Sequence, residues 1–278
     1  MVITFRTMQF FSPRLASLLA YQFWFHPGRK NIKQIARFEP QGMQAKTLIV
    51  NNKTVCYWTA GKGPVVFLMH GWGSCGKQLG DMGQAFLDHG YKIIWMDAPA
   101  HGASSGWRTT IFEISQAIHK VQNQEGEFKA LLAHSFGVPS CLFALQYGLQ
   151  AEKLILISAP ATFEGLIEKY CRILKASKQT QQQLSKRLDQ FLGEIKMAGI
   201  SAKYLARGLM QQSLVIHDRH DRLVRSREGI EVQKNLQNSQ FMQTEKLGHS
   251  KLLNDPQTIA RCVMFVQEDD HDSELMSA

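Results

Sequence analysis

The chain has 278 residues, of which 44% are hydrophobic and 20% are charged, a composition typical of a globular domain with a full core. Its formal net charge of +9 is dispersed, without a basic stripe interleaved with aromatic residues, which argues against nucleic-acid binding. The five cysteines are widely spaced and form no C-x-x-C pair. This spacing argues against a disulfide framework or structural zinc, and favours a cytoplasmic location.

The N-terminal segment, residues 1–45, predicts an amphipathic helix followed by a linker. Ser12 is a good N-cap, Pro13 suits the first helical position, and the Pro-Gly pair at 27–28 ends the helix. The apolar stretch Leu15–Phe25 is too short to span a bilayer. We expect this helix to pack on the domain surface; the alternative is a peripheral membrane or partner contact.

From residue 47 onward, short apolar runs alternate with longer stretches of helical periodicity. The eight predicted strands are Thr47–Val50, Val55–Trp58, Val65–Met69, Ile93–Met96, Ala130–Ala133, Leu154–Ile157, Leu214–His217 and Phe241–Thr244. Most runs from the third onward lack period-2 alternation, which is typical of strands buried on both faces of a parallel sheet. The first two runs, joined through Asn51-Asn52, predict an antiparallel hairpin at one edge.

Helices are predicted between these strands, at about 77–89, 109–123, 136–148, 226–237 and 255–266. The fold class is therefore α/β, with a mostly parallel eight-stranded sheet sandwiched by helices. We assign the core to residues 46–160 and 211–267, and a flexible tail to the polar residues 268–278.

More than fifty residues separate the sixth and seventh predicted strands, which is improbable for a structureless loop. Apolar residues recur there at helical spacing, so we predict a helical cap or lid over residues 161–210. This segment holds nine Lys and Arg residues against four Asp and Glu, a net charge of about +5.

Residues suited to catalysis follow several of the predicted strands, and in open α/β sheets active groups gather at the carboxyl ends of strands. The third strand is followed by "HGWG", the fourth by "DAPAHGAS", the fifth by "HSFG", the seventh by "HDRHDRLV" and the eighth by "EKLGHS".

These motifs resemble the α/β-hydrolase superfamily over about residues 45–266. "AHSFG" is similar to the nucleophile elbow G-x-S-x-G, with Ala133 in place of the first glycine. The order Ser135, Asp221, His249 also matches the order of the catalytic residues in the family.

The resemblance implies a role for each of these residues. Ser135 would be the nucleophile, His249 its general base, and Asp221 the acid that orients the imidazole. The backbone N–H groups of Trp72 and Phe136 would form the oxyanion hole. The remaining predicted site residues, which would line the substrate pocket, are Gly71, His134 and Trp107.

Several assignments keep an alternative. Asp218 could be the acid, although Asp221 fits better because an apolar turn containing Val224 follows it. Asp97 is expected to accept hydrogen bonds that shape its loop. His217, His220 and Asp221 could bind a metal, but no second cluster with ligand spacing completes the set.

The sequence therefore predicts a cytoplasmic serine hydrolase that cleaves a small-molecule carboxylic ester or thioester through an acyl-enzyme, without metal or cofactor. An acyltransferase, an amidase and a largely non-catalytic ligand-binding protein remain alternatives, because the fold alone does not give the substrate. Dehalogenases and epoxide hydrolases are disfavoured, since these relatives carry Asp where Ser135 stands.

Overall fold

The computed structural model describes residues 2–28 and 42–268. Eight strands form one sheet in the order β1-β2-β4-β3-β5-β6-β7-β8. The strands are β1 Gln44–Val50, β2 Lys53–Ala60, β3 Val65–Met69, β4 Lys92–Met96, β5 Phe128–His134, β6 Ala151–Ile157, β7 Gln212–Asp218 and β8 Ser239–Thr244. β2 pairs antiparallel with β1 and β4, and every other pair is parallel. The predicted mostly parallel sheet is confirmed.

The local sequence explains the centre and the edge of the sheet. All five residues of β3 are buried, as expected for a central strand covered on both faces. At the edge, Asn51 and Asn52 have φ angles of 46° and 59°. Two successive positive φ values fit a type I′ turn, which closes the predicted hairpin between β1 and β2.

Helices cover both faces of the sheet. They are α1 Val2–Phe11, α2 Pro13–Trp24, α3 Gly80–Asp88, α4 Ile111–Glu125, α5 Gly137–Gln146, α6 Phe163–Leu174, α7 Lys178–Leu192, α8 Ala202–Leu205, α9 Ser226–Gln233, α10 Gly248–Lys251 and α11 Pro256–Gln267. One buried cluster includes residues of α4 and α5, and another lies between the opposite face and the pair α3 and α11. No helix in the described ranges is long and apolar enough to cross a membrane.

The N-terminal region differs from its prediction, because it contains two helices and not one. α1 was not predicted, since its β-branched and aromatic residues give weak helix propensity. Contacts with α2 and α6 support it instead. The predicted linker lies mostly in residues 29–41, outside the described residues, as does the predicted tail beyond residue 268.

α2 packs on the segment between β6 and β7, which contains α6, α7 and α8. The Tyr170 hydroxyl of α6 donates a hydrogen bond of 3.0 Å to the carbonyl of Ala20. Arg187 of α7 donates a hydrogen bond of 3.2 Å to the Ser17 hydroxyl. The N-terminal helices and the β6–β7 segment therefore form one helical layer.

Candidate active site

Ser135 lies immediately after β5 in a tight turn. Its φ angle is 53°, a left-handed conformation that is costly for a residue other than glycine. The turn leaves little room beside it, because a Cβ at Gly137 would lie 2.7 Å from the carbonyl oxygen of His70. A Cβ at Gly71 would lie 2.9 Å from Cβ of Ser135. Larger side chains at these positions around Ser135 would therefore clash with neighbouring atoms.

The structure brings Ser135, His249 and Asp221 together from the ends of three strands. The Ser135 hydroxyl lies 3.0 Å from Nε2 of His249, within hydrogen-bond distance. On the other side of the ring, Nδ1 of His249 donates to Oδ2 of Asp221 at 2.7 Å. The three predicted catalytic side chains thus form one continuous hydrogen-bonded chain.

Asp221 is held by more than His249. Its Oδ1 accepts hydrogen bonds from the backbone N–H groups of Leu223 at 2.8 Å and Val224 at 2.9 Å. Burial alone would raise the pKa of Asp221, but hydrogen bonds from His217, His249 and the backbone outweigh it. The pKa of this carboxyl is therefore far below its ordinary value, and Asp221 stays ionised.

Asp218 makes a separate set of contacts and does not bond to His249. Its carboxylate accepts hydrogen bonds from the Thr244 hydroxyl, the Leu247 N–H and the His220 N–H. These bonds join the loop after β7 to the loop that carries His249. The geometry therefore favours Asp221 over Asp218 as the partner of the imidazole.

His134 helps to position His249, the predicted base. Its Nε2 donates to the backbone carbonyl of His249 at 2.9 Å, and the two rings lie 4.8 Å apart. Burial, together with the nearby His249, lowers the pKa of His134 to about 3. His134 is therefore a neutral donor that fixes the position of His249.

The residues that carry the predicted oxyanion donors, Trp72 and Phe136, line the same cavity as Ser135. Within the described chain, neither the Trp72 N–H nor the Phe136 N–H donates to any acceptor. The two side-chain rings meet edge to face with centroids 5.0 Å apart, which holds their loops together. Both N–H groups thus lack an acceptor among the described residues, as the predicted oxyanion role requires.

His70 orients one of these peptide groups, a role that no motif in the sequence indicates. Its Nε2 accepts a hydrogen bond from the Ala98 N–H at 3.1 Å, so its proton resides on Nδ1. Nδ1 then donates to the carbonyl of Gly71 at 2.7 Å. That carbonyl shares a peptide plane with the Trp72 N–H, so His70 fixes the direction of this donor.

Asp97 has the loop-shaping role expected from the sequence. Its carboxylate accepts from the N–H groups of Gly76 at 2.6 Å and Ala103 at 2.7 Å. A Cβ at Gly102 would overlap the Asp97 carboxylate. Asp97 is therefore engaged with backbone groups and not with Ser135 or His249.

A cavity of about 330 Å³, here called the triad cavity, opens over Ser135 and His249. Its lining includes Gly71, Trp72, His134 and Phe136 from the strand ends, and Leu166, Lys169, Tyr170 and Ile173 from α6. It also includes Phe23, Trp24 and His26 from the N-terminal region. The sequence did not reveal these last residues, because no local pattern indicates that α2 reaches a site more than a hundred residues away.

Trp107 does not line the triad cavity, contrary to its prediction. Its side chain is 66% exposed, and its ring lies 4.3 Å from that of His26. Trp107 thus flanks the N-terminal segment at the surface.

Within residues 2–28 and 42–268, no group of three His, Cys, Asp or Glu side chains is arranged to hold a metal ion. The ring of His217 is engaged instead, with Nε2 donating to the carbonyl of Val224 at 2.9 Å.

A family model described as serine aminopeptidase, S33 (Hydrolase_4) matches residues 62–207, slightly more than half of the chain. This range contains Ser135 but neither Asp221 nor His249. A comparison of the sequence with curated proteins gave no match.

Solved structures of similar fold cover most of this chain at low sequence identity. A membrane phospholipase A, described as a bacterial virulence factor, has a TM-score of 0.65 and 15% identity over 82% of this chain and 86% of its own. A serine hydrolase from Cycloclasticus zankles has a TM-score of 0.63 and 17% identity over 81% and 98%. An esterase from Exiguobacterium antarcticum has a TM-score of 0.62 and 16% identity over 81% and 100%.

The similarity to these solved structures shows the fold alone, whereas the family model shows a relationship in sequence. Because that model spans more than half of the chain, the protein belongs to the serine aminopeptidase S33 family of the α/β-hydrolase superfamily.

Proposed function

We propose that this protein is a serine hydrolase that cleaves a carboxylic ester or thioester of a small molecule through an acyl-enzyme. The observation that carries the proposal is the chain of hydrogen bonds from Ser135 through His249 to Asp221, at 3.0 and 2.7 Å. This chain borders a cavity that is also lined by Trp72 and Phe136.

In the first half of the reaction, Nε2 of His249 takes the proton of the Ser135 hydroxyl while the oxygen bonds to the substrate carbonyl carbon. The carbonyl electron pair moves to its oxygen, which the N–H groups of Trp72 and Phe136 stabilise. The pair then returns, the bond to the alcohol or thiol breaks, and His249 gives its proton to the leaving group.

Water completes the cycle by the same steps. His249 removes a proton from water, the hydroxide oxygen bonds to the acyl carbon, and the bond to Ser135 breaks with return of the proton. Asp221 keeps the Nδ1 proton in place and stabilises the imidazolium in both halves.

The charge of the triad cavity supports an ester over a peptide with a free amino terminus. A protonated amine requires a carboxylate partner when it is removed from water, and among residues 2–28 and 42–268 no Asp or Glu lines this cavity. Lys169 is the only Lys or Arg in the described lining of this cavity, and its ammonium group would repel an amine.

A panel of matched esters, thioesters and amides of graded acyl length tests the proposal. The wild type should turn over esters or thioesters, and Ser135→Ala should lose at least about 10⁴-fold in kcat/KM while keeping its circular dichroism spectrum. A single burst of product without turnover, relieved by an added alcohol, would identify an acyltransferase. Binding without any burst would identify a ligand-binding protein.

We also propose that the β6–β7 segment acts as a lid, because α6 contributes four residues to the triad cavity. Removing or replacing part of a lid should alter substrate selectivity more than the rate of the chemical step.

A cytoplasmic location and a peripheral membrane contact are further proposals. All five cysteines are free, which suits a reducing compartment. At the N-terminus, Phe10, Phe11 and Leu15 are 83%, 79% and 57% exposed. Three exposed apolar side chains in neighbouring turns suit a lipid surface.

A further inference from the structure

A second cavity, of about 400 Å³, lies next to the triad cavity. The two cavities share Leu166, Lys169 and Leu223 in their linings. Six basic residues line the second cavity, which we call the basic cavity: Lys169, Arg172, Lys203, Arg222, Arg225 and Arg227. Four acidic residues also line it: Glu164, Glu168, Glu228 and Glu231.

Two of the four acidic residues already have partners. Glu228 accepts hydrogen bonds from the backbone N–H groups of Ala161 at 3.2 Å and Arg225 at 3.4 Å. Glu231 lies 4.0 Å from the Lys203 ammonium. With six basic and four acidic side chains in its described lining, the basic cavity has an excess of positive charge and favours an anion.

Lys169 stands where the two cavities meet. It lies in the middle of α6 and is partly buried, and burial lowers the pKa of its ammonium group. The charges of Asp221 and Glu228 act in the opposite direction, but Lys169 forms no hydrogen bond or ion pair within the described ranges. A partly buried ammonium without a partner loses hydration that an anionic ligand would replace.

Building on the proposed function, we propose that the two cavities form one substrate site in which Lys169 binds an anionic group of the ester or thioester. The scissile carbonyl lies at Ser135, and a carboxylate or phosphate of the acyl part or the leaving group extends toward the basic cavity. Substrates of this class carry a negative charge a few bonds from the ester.

Two pairs of substrates test whether the anionic group is a carboxylate on the acyl part or a phosphate on the leaving group. 4-Nitrophenyl hemisuccinate differs from 4-nitrophenyl butyrate by a carboxylate on the acyl part. Butyryl phosphopantetheine differs from butyryl pantetheine by a phosphate on the leaving group. For each pair, the readout is the ratio of kcat/KM for the anionic member to that for the neutral member.

In at least one pair the wild type should favour the anionic member. Lys169→Gln should lower that ratio about tenfold, or about 1.36 kcal/mol, mainly through KM, because the variant loses a charge-assisted hydrogen bond to the anionic group. Lys169→Arg should retain most of the preference. Lys186→Gln, which removes an exposed charge of α7 outside both cavities, should leave the ratio unchanged.

Calorimetric binding of the same substrates to Ser135→Ala, with and without Lys169→Gln, separates this inference from the proposed function. If no ester is cleaved but the anionic members bind more tightly and depend on Lys169, the hydrolase proposal fails and the anion site stands. The anion site would be overturned if Lys169→Gln left both the kcat/KM ratio and the binding affinities unchanged for both pairs of substrates.

Discussion

Replacing Asp221 by asparagine is an informative change, because the structure determines which way the new amide must face. Oδ1 of Asp221 accepts two backbone N–H groups, from Leu223 and Val224, and Oδ2 faces Nδ1 of His249. An asparagine keeps its carbonyl oxygen toward the two N–H groups, since its NH₂ group there would face two donors. The NH₂ group then faces His249.

This orientation places the imidazole in the wrong tautomer. Nδ1 of His249 must accept from the new NH₂ group, so the ring proton moves to Nε2, which lies 3.0 Å from the Ser135 hydroxyl. A protonated Nε2 cannot take the serine proton. The corresponding change in other serine triads costs about 10⁴-fold in turnover, or about 5.4 kcal/mol at 1.36 kcal/mol per factor of ten.

The assay is kcat/KM on a reactive aryl ester for wild type, Asp221→Asn and Asp218→Asn, with thermal unfolding as a check on folding. Asp218→Asn disturbs hydrogen bonds from Thr244 and Leu247 and should cost about 1–3 kcal/mol of stability, with a much smaller loss of turnover. If folded Asp218→Asn loses more turnover than folded Asp221→Asn, the assigned acid is wrong.

Three further changes test the surroundings of the site. Gly137→Ala should lower the free energy of unfolding in urea by about 1–3 kcal/mol, because its Cβ would lie 2.7 Å from a backbone oxygen; unchanged stability would contradict this steric account. The pKa of His134 is about 3 when folded and about 6.5 when unfolded, so the unfolded chain binds more protons between these values and stability should fall as pH drops from 6.5 toward 3. His134→Gln should flatten that slope and His89→Gln, which changes an exposed histidine, should not; equal slopes in both variants would refute the assignment. Phe10→Ser combined with Phe11→Ser should weaken cosedimentation with phosphatidylglycerol vesicles, and a wild type that fails to bind these vesicles would end the membrane proposal.

The sheet could be predicted from the sequence because its signals are local. β3 was predicted with its observed bounds, since five consecutive apolar residues between turn residues leave little freedom. The elbow at Ser135 could be predicted for the same reason, because the small residues that its backbone requires are adjacent in sequence. The pairing of Asp221 with His249 could be predicted only from the order of the catalytic residues in the α/β-hydrolase superfamily. The hydrogen bond between the two side chains agrees with that prediction.

The walls of the site could not be predicted in the same way. Phe23 and Trp24 reach the triad cavity only because α2 packs on α6 and α7, and such contacts between distant segments leave no periodic signal. The prediction that Trp107 lines the pocket rests on its aromatic character alone, and Trp107 lies outside the triad cavity. The role of His70 depends on the direction of one peptide carbonyl, which only coordinates reveal.

Labelling with a fluorophosphonate tests the central claim most directly, because this reagent forms a stable bond only with a serine that a neighbouring base has activated. Intact-mass and peptide analysis of the wild type should show one adduct, located on Ser135, and Ser135→Ala should remain unlabelled. An adduct on another serine of the wild type, or undiminished labelling of Ser135→Ala, would contradict the assignment of Ser135 as the nucleophile.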